Sequence, residues 1–190
     1  VLNSLPTEWN GVFIDSDKVK IVMFLQLYHV SSAVMVFDAL VAAEKGDYSG
    51  LAYLSVAYDM MIPNVWNQNW GEPFFKAGSA DYDPLRDYES EMMPEKAIFG
   101  SPMSKLIWGS MKYCKYRIKP IPEKYRKLQH SDVETLMING NIDFSTPVSN
   151  AKKLLPYLKK GKLVILREMG HTNDVAYLQP MAFQHLVETY

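Results

Sequence analysis

Apolar and polar positions over residues 131–190 alternate in the manner of strands followed by helices. VETLMING (133–140) is a short apolar run with β-branched residues, and KLVILRE (162–168) is a second such run. Apolar residues recur at helical spacing over 147–159 between them, with Thr146 as the predicted cap of that helix and Pro147 as its first residue. A further helix is predicted over 174–189. Two apolar strands joined by a helix predict a parallel pair, the βαβ unit of an α/β fold.

Residues 1–125 show a different pattern, in which helical segments alternate with Pro, Gly and aromatic residues. Asp17 is the predicted cap of a helix over 18–29. Two further helices are predicted, one from Ser31 or Ser32 to Gly46 and one over 50–61 that Ser49 caps and Pro63 ends.

The stretch 63–95 is rich in Trp, Tyr, Phe, Pro and Gly and has no sustained period, which predicts long loops with short helical turns. One more helix is predicted over 101–113. The pattern therefore divides the chain into a mostly helical region over 1–125 and a βαβα region over 126–190, and the predicted fold class is α/β.

Charge and composition indicate which classes of binding partner to expect. The 190 residues carry 20 Lys and Arg against 21 Asp and Glu, a formal net charge of -1. Such a balance is not typical of proteins that bind nucleic acid or anionic membranes, so the predicted partner is a small molecule or another protein. The single Cys114 excludes an internal disulfide and does not indicate a redox compartment.

The longest apolar stretch, residues 19–36, is interrupted by Lys20, Gln26 and His29, so it predicts buried helices and no membrane span. The opening VLNSLPTEWNG has no basic segment followed by an apolar one, and no signal peptide is predicted there. A chain that opens at Val1 without an initiating Met is expected to have been processed or cut.

Two residues with acid–base chemistry follow the two predicted strands. Asp143 comes just after the first strand and His171 just after the second. Functional residues of parallel sheets collect at the carboxyl ends of the strands, about 4.8 Å apart, so the two side chains are expected to meet. A carboxylate that orients an imidazole is the arrangement of general-base catalysis. Taken singly, an Asp at a strand-to-helix corner and a Gly-His in a turn are more often structural; the spacing of the pair favours the catalytic interpretation.

The remaining histidines are not predicted to be catalytic or to bind a metal ion. His29 lies in an apolar helix and is predicted to be a core residue, His130 is predicted to lie in a loop, and His185 lies on the last helix. Their spacing to Asp and Glu does not match a metal site, and one Cys excludes a Cys-rich zinc cluster. The sequence therefore predicts no metal and no cofactor.

The segment INGNIDFSTPVSNAKKLLPYLKKGKLVILREMGH resembles the C-terminal end of an α/β-hydrolase, in the tripeptidyl and prolyl aminopeptidase-like branch. In that branch a G-x-x-D-x-x-T-P segment carries the acid and a later G-H carries the histidine. Residues 140–147 match the first motif, through Gly140, Asp143, Thr146 and Pro147, and residues 170–171 match the second. Upstream, AAEKGDYSGL (42–51) resembles part of the lid region, and CKYRIKPIP (114–122) resembles the Cys-containing stretch before the penultimate strand.

The resemblance implies a serine hydrolase that cleaves peptide or ester bonds, with His171 as the general base and Asp143 as its orienting acid. The nucleophile of this family lies in a G-x-S-x-G elbow, and no such motif occurs in the sequence. The expected chain is thus the C-terminal portion of the enzyme, whose serine lies outside these residues. Because no acyl-enzyme forms without that serine, the chain alone is expected to be inactive.

By the same resemblance, residues 1–125 are a lid, or cap domain, that shapes the substrate pocket. The candidate substrate-binding residues are Trp66, Trp70, Phe74, Phe75, Glu89 and Glu91. A lid carboxylate can hold the free amine of an aminopeptidase substrate, and Glu95 adds to the same acidic patch. The alternative is that the aromatic residues are packing residues and the glutamates are solvated.

A noncatalytic role is the second hypothesis. A truncated or degenerate hydrolase fold would offer an apolar face and a strand edge to another chain, because two strands alone cannot bury both. The predicted partners are accordingly a peptide or ester substrate together with the N-terminal half of the hydrolase, or a second copy through self-association.

Overall fold

The chain forms two units, each with its own small sheet. The computed structural model describes residues 1–5, 7–65, 70–114, 118–171 and 174–190. Backbone contacts place Val1–Leu25 and Phe37–Arg126 in unit 1, and Gln26–Val36 and Lys127–Tyr190 in unit 2. No helix of the described residues combines the length and the apolar character that a membrane crossing requires.

Unit 1 opens with a β-hairpin that the sequence analysis did not predict. Strand β1 (Thr7–Trp9) pairs antiparallel with β2 (Val12–Ile14), with Trp9 opposite Val12. The turn between them is Asn10-Gly11, and both residues have positive φ, 48° and 81°. Two successive positive φ angles suit the twist of a hairpin, and Asn-Gly is the dipeptide that adopts them most readily.

Three long helices follow the hairpin: α1 (Ser16–Gln26), α2 (Val30–Glu44) and α3 (Ser49–Val65). The predicted cap Asp17 is wrong, because the Asp15 carboxylate accepts hydrogen bonds from the backbone N–H groups of Asp17 and Lys18, each at 2.9 Å. The predicted end at Pro63 is also wrong, since α3 continues to Val65.

The core of unit 1 lies between the hairpin and two of these helices. Its largest fully buried side chains come from β2, α1 and α3: Ile14, Val19, Val22, Met23, Leu51 and Leu54. The buried hydroxyl of Ser55 on α3 accepts a hydrogen bond from the Asp15 N–H at 3.1 Å and donates one to the Phe13 carbonyl at 3.3 Å. These two bonds attach the end of the hairpin to α3.

The stretch predicted to be loops contains two helices, α4 (Gly71–Ala80) and α5 (Tyr88–Met92). Asp87 caps α5 by accepting a hydrogen bond from the Ser90 N–H at 3.3 Å. The helix predicted over 101–113 is a short α-helical turn, α6 (Pro102–Ser104), that runs into a π-helical turn, Lys105–Gly109. Rings of Tyr82, Tyr88 and Trp108 stack in this part of the chain, with successive centroids 5.4 Å apart.

Unit 2 contains the predicted parallel pair. Strand β3 (Thr135–Gly140) pairs with β4 (Gly161–Leu166) in parallel, in register from Thr135 opposite Gly161 to Gly140 opposite Leu166. Helix α7 (Val148–Leu154) and a 3₁₀ turn (Leu155–Tyr157) connect the strands. After β4 come a π-helical turn (Asp174–Leu178) and α8 (Pro180–Glu188), so the C-terminal region has a mixed α/β architecture.

Candidate functional site

The carboxyl ends of β3 and β4 place two loops side by side in unit 2. The last strand pair, Gly140 with Leu166, is followed by a hydrogen bond from the Asn141 N–H to the Leu166 carbonyl at 2.9 Å. The Ile142 N–H then donates to the Met169 carbonyl at 3.2 Å. The loop that carries Asp143 is therefore attached to the loop that leads to His171.

Two glycines permit this close approach. A Cβ atom on Gly140 would lie 2.1 Å from the Met169 carbonyl oxygen, and a Cβ on Gly170 would lie 2.7 Å from Asp174 Oδ2. Distances below 3.0 Å between such atoms are not tolerated, so a side chain at either position would push the loops apart. The glycines of the two sequence motifs thus have a steric reason in this structure.

Asp143 and His171 form a direct contact, with Asp143 Oδ2 2.9 Å from His171 Nδ1. The Asp143 side chain is nearly buried, 3% exposed, and the His171 side chain is 25% exposed. The same Oδ2 accepts a hydrogen bond from the Thr146 hydroxyl at 2.7 Å, while Oδ1 accepts from the N–H groups of Ser145 and Thr146, both at 2.9 Å. Four donors therefore surround one buried carboxylate.

These contacts favour the ionised form of Asp143. Burial acts to raise the pKa of the carboxyl, but the hydrogen bonds from the Thr146 N–H and hydroxyl and from His171 outweigh it and hold the pKa below its ordinary value. An ionised carboxylate only accepts, so the neutral imidazole places its proton on Nδ1. His171 Nε2 then carries the lone pair, which is the atom a general base uses.

Tyr28 contacts both loops, and the sequence analysis missed it. Its ring meets the His171 ring edge to face, with centroids 4.9 Å apart and planes at 84°. Its carbonyl accepts a hydrogen bond from the His171 N–H at 3.0 Å, and its hydroxyl lies 3.1 Å from the Ser145 hydroxyl. No motif marks Tyr28, because it is 117 residues from Ser145 in the sequence.

Thr146 has another role than the predicted one. The sequence predicted Thr146 as the cap of the next helix and Pro147 as its first residue, but Pro147 is the N-cap and α7 starts at Val148. The Thr146 hydroxyl donates to Asp143 and lies 3.2 Å from His171 Nδ1. Thr146 of the motif therefore holds the Asp143 carboxylate, and Pro147 is the residue that precedes the helix.

No serine hydroxyl in the described part of the chain is hydrogen-bonded to the His171 ring, whose side-chain partners there are Asp143 and Thr146. Ser145, the nearest serine in the loop, directs its hydroxyl to Tyr28. The structure thus brings the two predicted catalytic residues together and does not supply a nucleophile among the residues it describes.

Three of the predicted substrate-binding aromatic residues lie together in unit 1. Trp70, Phe74 and Phe75 line a cavity of about 540 Å³, together with Gly71, Ser110, Tyr113 and Cys114. Trp66, the fourth aromatic candidate, lies outside the described residues. Substrate binding by this cluster stays a prediction.

The two candidate glutamates are each paired with a cation. Glu89 Oε2 lies 2.8 Å from Lys112 Nζ, and Glu91 forms an ion pair with Arg86. Both carboxylates are at least 40% exposed, so these are surface ion pairs of small energetic weight. Glu89 also borders a cavity of about 420 Å³ lined in part by Asp17 and Lys105, and Glu91 does not.

In the described part of the chain, none of the other histidines is hydrogen-bonded to Asp143 or to the His171 ring. His29, predicted as a core residue, is 37% exposed at its side chain, and its Nδ1 lies 3.3 Å from Asp174 Oδ1. His130 packs against the Tyr157 ring at 5.1 Å, and His185 lies on α8. Across the described ranges, no three His, Cys, Asp or Glu residues are grouped in a way that would hold a metal ion.

In the comparisons with known proteins, a match was found for the C-terminal part of the sequence. Residues 101–190 match the family model Abhydrolase_4, whose description is TAP-like protein. Comparisons with curated proteins and with solved structures gave no match. The matched range contains β3, β4 and both loops of the candidate site. Residues 101–190, a little under half of the chain, are thus similar to the tripeptidyl aminopeptidase-like branch of the α/β-hydrolase family.

Proposed function

We propose that this chain supplies the acid and the base of a serine hydrolase that cleaves peptide or ester bonds. The observation that carries the proposal is the 2.9 Å contact between the buried Asp143 carboxylate and Nδ1 of the partly exposed His171. The contact leaves Nε2 as the basic atom. The family of residues 101–190 supports hydrolysis as the type of reaction.

In the proposed reaction, Nε2 of His171 removes the proton of a serine hydroxyl as the serine oxygen attacks the substrate carbonyl. The imidazolium that forms is stabilised by the Asp143 carboxylate, which stays ionised. The imidazolium then donates the same proton to the leaving amine or alcohol as the carbonyl bond to it breaks. Water repeats the cycle on the acyl-enzyme and releases the acid.

The nucleophile is proposed to come from outside these 190 residues, because no G-x-S-x-G motif occurs in them. An oxyanion hole built next to the nucleophile would come from the same place. Residues 1–190 alone would then bind no acyl group covalently, even with the acid and base in contact.

The substrate is proposed to be a peptide or an ester with an apolar group, for which the cavity beside Trp70, Phe74 and Phe75 offers an apolar wall. Recognition of a free amine by Glu89 or Glu91 would require the ion pair with Lys112 or Arg86 to open. Exposed pairs open at small cost, so an aminopeptidase-like preference remains part of the proposal.

Labelling with a fluorophosphonate, which reacts with activated serines, tests the proposal on the protein isolated from its source. We expect one adduct on a serine-bearing polypeptide that also carries residues 1–190 or is bound to them, together with hydrolysis of a peptide or ester substrate. The 190-residue chain alone, with a calculated mass of 21.8 kDa, should gain no adduct. Turnover by that pure chain would contradict the proposal.

A noncatalytic, partner-binding role is the second candidate, and the surface of unit 2 favours it. Several of its large apolar side chains are more than 40% exposed: Val133, Ile142, Ile165, Tyr177, Met181 and Val187. The sheet of unit 2 has two strands in the described residues, so its edges are open to pairing. A chain that forms homodimers and whose source protein takes up no fluorophosphonate would favour this second role.

A further inference from the structure

A second buried aspartate lies behind the candidate site. Asp174 is 2% exposed and follows His171 by three residues. Its Oδ2 accepts hydrogen bonds from the Val30 N–H at 2.9 Å and the Gly170 N–H at 3.0 Å, and its Oδ1 lies 3.3 Å from His29 Nδ1. A buried carboxyl group with three such partners is costly to remove, because the donors would lose their acceptor.

The partners of Asp174 come from two distant parts of the sequence. Gly170 precedes His171 directly, whereas His29 and Val30 lie where α2 begins, 144 residues from Asp174 in the case of Val30. The Asp174 N–H also donates to the His171 carbonyl at 2.8 Å. Asp174 therefore joins the His171 loop to residues 29–30.

The neighbouring Tyr28 completes this connection. Its carbonyl accepts the His171 N–H at 3.0 Å, and its hydroxyl meets Ser145 in the Asp143 loop at 3.1 Å. Residues 28–30 thus contact the loop of the base and the loop of the acid. They do so through the backbone N–H of His171, the side chain of Ser145 and the carboxylate of Asp174.

The fit is tight, because Gly170 has no space for a side chain. A Cβ on Gly170 would lie 2.7 Å from Asp174 Oδ2 and 2.8 Å from the Tyr28 carbonyl oxygen. The backbone of the His171 loop is therefore in contact with Asp174 on one side and with residue 28 on the other. Small displacements of Asp174 would move Gly170, and with it the ring of His171.

We propose that Asp174 is a positioning residue, which holds His171 against Asp143. It does so by accepting hydrogen bonds from both the Gly170 N–H and the Val30 N–H. The inference rests on the proposed function for its catalytic meaning, since it deepens the role of His171 as the base. The Asp174 side chain is hydrogen-bonded neither to the Asp143 carboxylate nor to the His171 ring, and it acts through the backbone of Gly170. Residues 28–30, far upstream of both motifs, thereby belong to the acid–base site.

Proton NMR of the 190-residue chain tests the inference without a nucleophile. The His171 Nδ1 proton, held in a hydrogen bond to a carboxylate, resonates far downfield and exchanges slowly with water. In Asp174→Ala we expect this signal to broaden or vanish, and the Gly170 amide to exchange at least about tenfold faster, because the Gly170 N–H loses its buried acceptor. Asp174→Asn keeps an oxygen acceptor for both backbone donors, so it should retain the signal.

The matched control is Asp132→Ala. Asp132 lies in the same unit, its side chain is 77% exposed, and its Oδ1 lies 3.6 Å from Lys159 Nζ. This variant should leave the His171 signal unchanged. A folded Asp174→Ala variant that keeps the wild-type signal and exchange rates would overturn the inference.

Val30→Pro provides a second test should Asp174→Ala fail to fold. Val30 is the first residue of α2, where Pro is well tolerated, and the substitution deletes the N–H that donates to Asp174. Val30→Ala shortens the side chain and keeps the N–H. We expect about tenfold faster exchange of the His171 Nδ1 proton in Val30→Pro and wild-type exchange in Val30→Ala. Equal behaviour of the two variants would contradict the inference.

Kinetics of the serine-bearing source protein separate this inference from the proposed function. Asp174→Ala should lower kcat with little change in KM, because it displaces the base and touches no substrate. Should Asp143→Asn leave turnover intact, the proposed function is wrong, while the NMR result would still report whether Asp174 fixes His171. Should Asp143→Asn abolish turnover while the His171 Nδ1 proton signal is unchanged in Asp174→Ala, the positioning role alone is wrong.

Discussion

Unit 2 contains two aspartate–histidine pairs with the same chemical composition and different surroundings. Asp143 accepts three of its four hydrogen bonds from its own loop, at Ser145 and Thr146, and the fourth from His171. Asp174 accepts one bond from Gly170, four residues before it in the His171 loop, and its other two contacts come from the distant residues 29 and 30. The first carboxylate is held by its loop and can orient a ring, whereas the second holds other segments together.

The two histidine contacts also differ in length and in the packing of the ring. His171 Nδ1 lies 2.9 Å from its carboxylate and its ring packs against Tyr28, while His29 Nδ1 lies 3.3 Å from Asp174. A shorter bond and a packed ring fix one tautomer and one orientation, which a base requires. An Asp–His contact alone is therefore a weak indicator of catalysis, and the surroundings of each partner distinguish the two pairs.

The largest expected effect distinguishes the two pairs in the serine-bearing source protein that we propose. Asp143→Asn should lower turnover by about four orders of magnitude, because an amide favours the wrong tautomer of His171. Asp174→Asn should change turnover less than about tenfold, since its oxygen still accepts from the backbone. Rates of ester or peptide hydrolysis check both variants. Similar losses in the two would abolish the distinction drawn between the pairs.

Glycine substitution tests how closely the loops approach. Gly140→Ala should destabilise the chain by about 3 kcal/mol, at the upper end of overpacking, because its Cβ would meet backbone oxygen atoms that cannot rotate away. Gly109→Ala is the control, since its Cβ would meet the flexible side chain of Glu89 at 3.3 Å. Chemical denaturation of both variants measures the difference, and equal midpoints would argue against a tight approach at Gly140.

Thr146→Val tests the support of the Asp143 carboxylate. The variant keeps the shape and the N–H of Thr146 and removes the hydroxyl donor at 2.7 Å. We expect a loss of about 2 kcal/mol in the free energy of unfolding, because the lost bond goes to a charged acceptor. Thr146→Ser keeps the hydroxyl and should lose less. A Val variant as stable as the Ser variant would show that the hydroxyl contributes little.

The smallest effect is expected from acid. Because the pKa of folded Asp143 lies below its ordinary value near 3.9, its ionised form contributes stability that is present above about pH 4 and is lost as the pH falls through the folded value. The difference in unfolding free energy between wild type and Asp143→Asn should therefore shrink below about pH 4. Denaturation at pH 7, 5 and 3 measures it, and a constant difference would contradict the assignment.

The sequence predicted the parallel strand pair because short apolar runs and a helical period are local signals. It missed the hairpin at Asn10-Gly11, although that dipeptide between apolar residues is a recognised turn signal. It misplaced the caps at Asp17 and Thr146, since several side chains near a helix start compete for the same N–H groups. Cap positions are therefore decided by detailed loop geometry.

The residues of the candidate site likewise include some that the sequence indicates and some that it does not. Asp143 and His171 stand in motifs at strand ends, where topology alone indicates that they are neighbours. Tyr28 and Asp174 have no such signal, because their contacts depend on how residues 26–36 pack within unit 2. Single-sequence patterns contain no information about that packing. The residues that hold a site in place were accordingly harder to predict than the residues proposed to react.

The contact between residues 28–30 and the C-terminal loops has a consequence for folding order. Tyr28 and Ser145 are separated by 117 residues and Val30 and Asp174 by 144, so their hydrogen bonds close very long loops of the unfolded chain. Contacts of such long range form slowly and late, after local helices and the strand pair. During synthesis, the upstream turn leaves the ribosome long before its partners exist. The geometry of the histidine loop is thus completed only after residues 145–174 have been made.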